Sequence, residues 1–168
     1  MKLILENWKR FIDEVEAFDD FADTAEKIDQ NLQYYYRDHA PTKGKRKDLG
    51  EWKGKQGKQL VSFELPEDNV FFFVVDQNDD PLAYIAVAPF RESYAVGNMT
   101  KKTGEKSFFQ TELYKKVMEA LGKGSLYSDK AQTTGGKGLW ARLKDEGRAE
   151  KTDTSQEDGE GKWRWRLK

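Results

Sequence analysis

Apolar residues at the start of the chain recur every three or four positions: Ile4, Leu5, Trp8, Phe11, Ile12, Val15, Phe18, Ala22, Ala25, Ile28 and Leu32. That spacing paints one stripe along a 3.6-residue helix and predicts helix over residues 3–37. Asp19 and Asp20 interrupt the stripe, and Asp23 with Thr24 stand where a second helix, running to about Arg37, takes its cap. From Gln59 the period changes to two. Residues 60–65 alternate, 66–69 read as a turn, and 70–76 form a nearly continuous apolar run, the pattern of a strand covered on both faces. A turn at 77–81 leads to a second buried strand at 82–88 and a further short one at 93–96. Adjacent strands with tight connections predict an antiparallel meander.

Helical spacing returns over 107–121, with Phe108, Phe109, Leu113, Val117, Met118 and Leu121 on one side and Gly122 and Gly124 ending it. Residues 125–128 read as a short strand, 129–136 as a loop, and 139–143 as part of a second helix ended near Gly147. Residues 152–161 read as a polar turn. The last strand, 163–167, alternates Trp-Arg-Trp-Arg-Leu, which puts both tryptophans on one face and both arginines on the other.

The 168 residues fit one domain, or one domain with a terminal extension. An aromatic fraction of 13% argues for a folded core rather than a disordered chain. Lys and Arg number 29 against 30 Asp and Glu, a balance unlike that of a chain dedicated to wrapping nucleic acid or lying on an anionic membrane. No apolar run reaches bilayer length, and no secretory pattern opens the chain, so the expected location is the cytoplasm in which the protein is made. With no cysteine there is no disulfide, thiolate metal site or thiol nucleophile, and a single histidine, His39, speaks against a histidine-rich metal centre.

The charge is unevenly placed. Residues 1–40 are the helical extension, and their first 30 carry 9 acidic and 4 basic side chains. Residues 41–58 hold 7 basic side chains, 2 acidic ones and 4 glycines, which predicts a basic loop. Such a loop suits a phosphate-bearing ligand or nucleic acid, with Trp52 as a stacking platform. Equally, it neutralises the acidic helices. The balanced net charge makes nucleic acid the weaker partner.

Residues 59–168, a meander followed by strand, helix, strand, helix and strand, resemble the GNAT acyltransferase superfamily. Most of the likeness lies in 128–143, where Gly-Gly-Lys-Gly-Leu-Trp-Ala-Arg-Leu enters the late helix. The resemblance implies an α+β fold with a GNAT-like mixed sheet, and acetyl-coenzyme A held by the loop that opens the central helix. Here that loop is residues 100–107. Gly104 matches the family pattern, Lys101, Lys102, Lys106, Thr103 and Ser107 offer charge and hydroxyls, and Glu105 departs from it. An ordinary basic loop entering a helix fits the same residues. The resemblance further implies a carboxylate base and a tyrosine acid. Glu92 and Tyr94 are the candidates for base and polar contact, and Tyr127 is a substitute acid because the late helix carries Trp140 where tyrosine is usual. Ser128 and Asp129 stand at a strand end that faces ligand in open α/β layers, or else serve as turn and cap residues. The acceptor is then an amine of a small molecule or host protein.

Residues 1–14 resemble the leaders of internal head proteins of T-even-type bacteriophages, short amphipathic helices cut by the prohead protease after Leu/Ile-x-Glu. Ile12-Asp13-Glu14 fits that site, as does Ile4-Leu5-Glu6. This implies phage origin, packaging in the virion and contact with the capsid or its protease; the first turns of a structural helix fit the same residues. Two functions therefore stand: an N-acyltransferase, and a catalytically silent GNAT-like module acting inside the virion or on a host factor.

Overall fold

The computed structural model describes residues 25–129 and 134–168. The leader-like residues 1–14 and the first part of the helical stripe lie outside them. The described chain is mixed α+β, with one eight-stranded mixed sheet. No helix among the described residues is long and apolar enough to cross a membrane.

The sheet is organised by β3 (Val70–Val75) and β4 (Pro81–Phe90), in which every residue except Pro89 is buried. These strands have no polar side, so both faces need a cover. β2 (Gln59–Glu64) and β5 (Ser93–Lys101) flank them antiparallel, as the meander predicts. On one face Phe71, Phe73, Tyr84 and Ala86 pack under Leu32, Tyr35 and Tyr36. On the other, Phe72, Val74, Ile85 and Val87 pack under α3 (Gln110–Leu121) and α4 (Thr134–Asp145) through Leu113, Val117, Trp140 and Leu143. Each such aliphatic or aromatic side chain contributes about 1.5–3 kcal/mol on burial.

The N-terminal cover is a bent helix. α1 (Ala25–Tyr34) runs into a π-helical turn (Tyr35–His39) and then α2 (Ala40–Lys43). The widened turn holds two successive tyrosines against the sheet. Tyr35 lies 4.9 Å from the Tyr84 ring, and Tyr36 5.0 Å from that of Phe73. The Tyr36 hydroxyl donates to Asp79 in the β3–β4 turn at 2.6 Å, and Arg46 and Arg37 donate to the same carboxylate. The Arg46 hydrogen bond, aided by that of Tyr36, holds the Asp79 carboxyl below its ordinary range despite partial burial.

Three features depart from the sequence expectations. The basic segment 41–58 is not a loop throughout: Lys45–Glu51 is β1, an edge strand paired with β2. Its polar side chains suit an edge, where charge discourages pairing with other chains. Residues 149–153, with no apolar alternation, form β7 (Ala149–Asp153), and the expected turn at 152–161 contains α5 (Ser155–Asp158). The short strand at 93–96 extends to Lys101. Its pairing with β4 shifts by one residue, Val96 opposite Val87 but Asn98 opposite Ala86, so Gly97 is a bulge. The bulge resets which side chains face which layer and brings Asn98 to the Tyr84 hydroxyl, to which it donates at 2.6 Å.

Beyond β5 the sheet changes direction. β6 (Leu126–Tyr127) runs parallel to β5, and β8 (Trp163–Leu167) inserts between β6 and β7, antiparallel to both. Arg164 anchors this half. Its side chain is fully buried, donates to Asp158 at 2.7 and 2.9 Å and to the Ser128 carbonyl at 2.8 Å, and lies over the Phe90 ring. Thr154 donates to the same Asp158 carboxylate at 2.7 Å. Removing one partner leaves the other charge buried and uncompensated. Arg164→Met is therefore expected to cost about 3–5 kcal/mol in urea unfolding, with much of the loss recovered by adding Asp158→Leu. A loss under ~1 kcal/mol would mean that this pair is not buried in solution.

Candidate functional site

β5 and β6 share one register position, Ala95 opposite Tyr127. Past it β5 runs on to Lys101 while β6 ends, so the sheet forks at the C-terminal end of β6, near the start of β5. Tyr127 stands at the fork and donates its hydroxyl hydrogen to Glu92 at 3.0 Å. Arg166, in register with Tyr127 on β8, donates to Glu92 at 3.3 Å and to Glu150 at 3.3 Å. Its Nε–H is buried with no partner among the described residues. Arg91 lies beside the Tyr127 ring and donates to Glu157 at 2.6 Å.

This arrangement keeps Glu92 charged and Tyr127 protonated. A hydrogen bond from its own backbone, with the Tyr127 hydroxyl and the Arg166 and Arg91 charges, holds the Glu92 carboxyl below its ordinary range against the opposing effect of burial. Burial first, and then the Glu92 hydrogen bond, push the Tyr127 phenol up. An exposed carboxylate joined to a protonated phenol can accept a proton at one end and supply one at the other.

Tyr94 does not join them. Strand alternation turns it to the opposite face, against the α3 layer, where burial and then the Asp68 and Glu64 charges push its phenol up. Trp52 is 4% exposed, and its ring lies 5.2 Å from that of Phe108, so it belongs to the core and offers no stacking surface. Ser128 is fully buried: its N–H donates to the Trp165 carbonyl at 2.8 Å, and its Oγ accepts the Trp165 N–H at 3.0 Å. Those bonds extend the β6–β8 seam. Asp129 is partly buried, and its charge adds to the burial that pushes the Tyr114 phenol up to about 12. Tyr114 stacks on Trp140 at 5.6 Å, so the late-helix indole is also core.

The loop before α3 is engaged internally. The Thr103 N–H donates to Asp29 at 3.0 Å, and both the N–H and the hydroxyl of Ser107 donate to Glu105. Burial opposes the Glu105 charge, but the Ser107 hydrogen bonds with Lys58 and Lys101 outweigh it and hold the carboxyl below its ordinary range. Gly104 takes a left-handed φ of 79°. Lys101 lies 5.6 Å from the Phe108 ring centre. The loop thus presents donors to negative charge, and two carboxylates of the chain already occupy them.

Arg166, Arg91 and the Tyr84–Asn98 pair were not among the sequence candidates. Alternation along 163–167 put Arg166 with Arg164 on one face, and a glycine inside a strand pattern at Gly97 marks a bulge; neither signal names the strand that lies alongside. No family model matches the chain, and no curated protein matches it in sequence.

The Glu92–Tyr127 contact is measurable by a double-mutant cycle. Glu92→Gln with Tyr127→Phe is expected to show a coupling of about 0.5–1 kcal/mol, the modest value of a half-exposed hydrogen bond to a charge. Glu92→Gln with Tyr94→Phe is expected to show none. Coupling to Tyr94 instead would contradict the placement of these side chains.

Proposed function

We propose that this protein is a GNAT-like N-acyltransferase that carries an acetyl group from acetyl-coenzyme A to an amine of a small molecule or a host protein. The fork between β5 and β6 carries the reading. A strand edge that continues past its partner offers backbone donors and acceptors to an extended chain, and coenzyme A has such a chain, with amides along it. The α3 entry loop lies at the open end of the same strand, where Lys101, Lys102 and Lys106 meet a phosphate-bearing ligand. Glu92 and Tyr127 stand at the closed end. The acceptor amine attacks the thioester carbonyl and gives its proton to the Glu92 carboxylate. The carbon–sulfur bond breaks, and the departing thiolate takes a proton from Tyr127.

A second reading has its own observation. Asp29 and Glu105 already accept the donors of the α3 entry loop. A chain that keeps this arrangement permanently is a GNAT-like module without coenzyme A, suited to a virion-internal or host-factor-binding role in a phage. The leader-like residues 1–14 belong with this reading as much as with the first.

Calorimetric titration with acetyl-coenzyme A separates the two. The wild type is expected to bind saturably, and Glu105→Gln to bind about tenfold more tightly because one competing charge is gone. Reversing the charge of Lys101 and Lys102 is expected to abolish binding. Ligand at 100 times its dissociation constant adds ~2.7 kcal/mol of stability, so a thermal shift reports the same event. No binding by wild type or Glu105→Gln at millimolar ligand would remove the acyltransferase and leave the binding module.

A further inference from the structure

A cavity of about 650 Å³ lies on the opposite face of the sheet from Tyr127. It opens on the α3 side of the sheet, over β1, β2 and β3, where the last turn of α3 (Ala120, Leu121) stops short of the outer strands. That volume lies within the range of small-molecule sites. Beside it, a Cβ at Gly44 would lie 2.2 Å from the Glu64 carbonyl oxygen, so only glycine lets the start of β1 lie this close to β2. Val70 and Phe72 form an apolar floor.

The polar groups around that floor are divided by charge. Lys43 and Lys47 stand on the α2–β1 side, and Glu64 and Asp68 on the β2–β3 side. Glu67 and Asp68, in the β2–β3 turn, hold left-handed φ angles of 65° and 60°, uncommon for residues with side chains, and carry Asp68 to the cavity. Ser62, 3% exposed, Asn69, 8% exposed, and Tyr94 also line it. None of these seven side chains has a hydrogen-bond or ion-pair partner among the described residues. Lys43, Lys47, Glu64 and Asp68 are exposed, so their charges face the solvent of the cavity.

We propose that this cavity binds a small zwitterion, a molecule whose protonated amine and carboxylate are joined by a short apolar segment. The carboxylate meets Lys43 and Lys47, the amine meets Glu64 and Asp68, and the segment between them lies on Val70 and Phe72. Ser62, Asn69 and the Tyr94 hydroxyl complete the hydrogen bonds. The scale follows from the strand register. Lys47 is opposite Ser62, and Glu64 is two residues further along the same face, a diagonal of about 7–8 Å. The site shares no residue with the fork or the α3 entry loop, so it stands or falls apart from acyl transfer.

The probe is 6-aminohexanoate, a zwitterion with a short apolar segment between its charges, with hexanoate and hexylamine as single-charge controls. In a ¹H–¹⁵N titration of the full chain, 6-aminohexanoate is expected to shift the amides of Ser62, Asn69, Phe72 and Tyr94. Each control is expected to bind at least about tenfold more weakly, as is Lys47→Gln or Glu64→Gln toward the zwitterion. Both substitutions are on outer strands, and the unchanged spectrum of each free variant verifies its fold. Equal binding of all three probes, shifts confined to other parts of the chain, or no shift at the highest soluble concentration would each overturn the proposal.

Discussion

The structure depends on the absence of any polar face on β3 and β4. Phe71, Phe73 and Tyr84 point one way and Phe72, Val74 and Ile85 the other, and each is at most 2% exposed. A sheet with such a centre has to be closed on both sides, so one helical layer is insufficient. The bent N-terminal helix closes one side with Leu32, Tyr35 and Tyr36, and α3 with α4 closes the other. The π-helical turn and the Tyr36–Asp79–Arg46 contacts follow from that requirement, because they fix the helix where the aromatic face needs it. Arg37 of the N-terminal helix and Arg46 of β1 both form ion pairs with Asp79 at this point.

Where cover is needed only at the centre, the margins of the sheet are available for chemistry. α3 spans the middle strands and stops short of β1 and β2, which leaves the charge-divided cavity beside its last turn. On the other margin, the parallel pairing of β5 with β6 lasts one register position, and the fork appears where β6 ends. The two places differ in character. The fork combines an open strand edge with a carboxylate and a phenol; the cavity combines an apolar floor with unpaired charge of both signs.

The centre of this fold was legible in the sequence and its margins were not. Residues 70–76 and 82–88 announce β3 and β4 because burial on both faces leaves a continuous apolar run. β1 and β7 are polar edge strands, made by the partners they pair with, so Lys45–Glu51 looked like a basic loop and Ala149–Asp153 like nothing in particular. Trp52 looked like a surface platform because its neighbours in sequence are lysines and glycines, whereas its neighbour in space is Phe108. Among the site candidates, Glu92 and Tyr127 meet although 35 residues separate them, while Tyr94, two residues from Glu92, faces away. The second fact arises because Glu92 lies in the β4–β5 turn, before the alternation of β5 begins. The first depends on which strand lies beside β5, and that follows from the crossover through α3 rather than from local pattern.

Native-state amide hydrogen exchange tests the two-sided burial of the central strands most directly. The amides of Phe71, Phe73, Tyr84 and Ile85 are predicted to exchange only through global unfolding, at the free energy measured by urea denaturation, while those of β1 exchange through smaller local openings. Exchange of the β3 and β4 amides at an opening energy well below the global value would mean that one helical cover is not in place in solution. The central constraint would then be wrong.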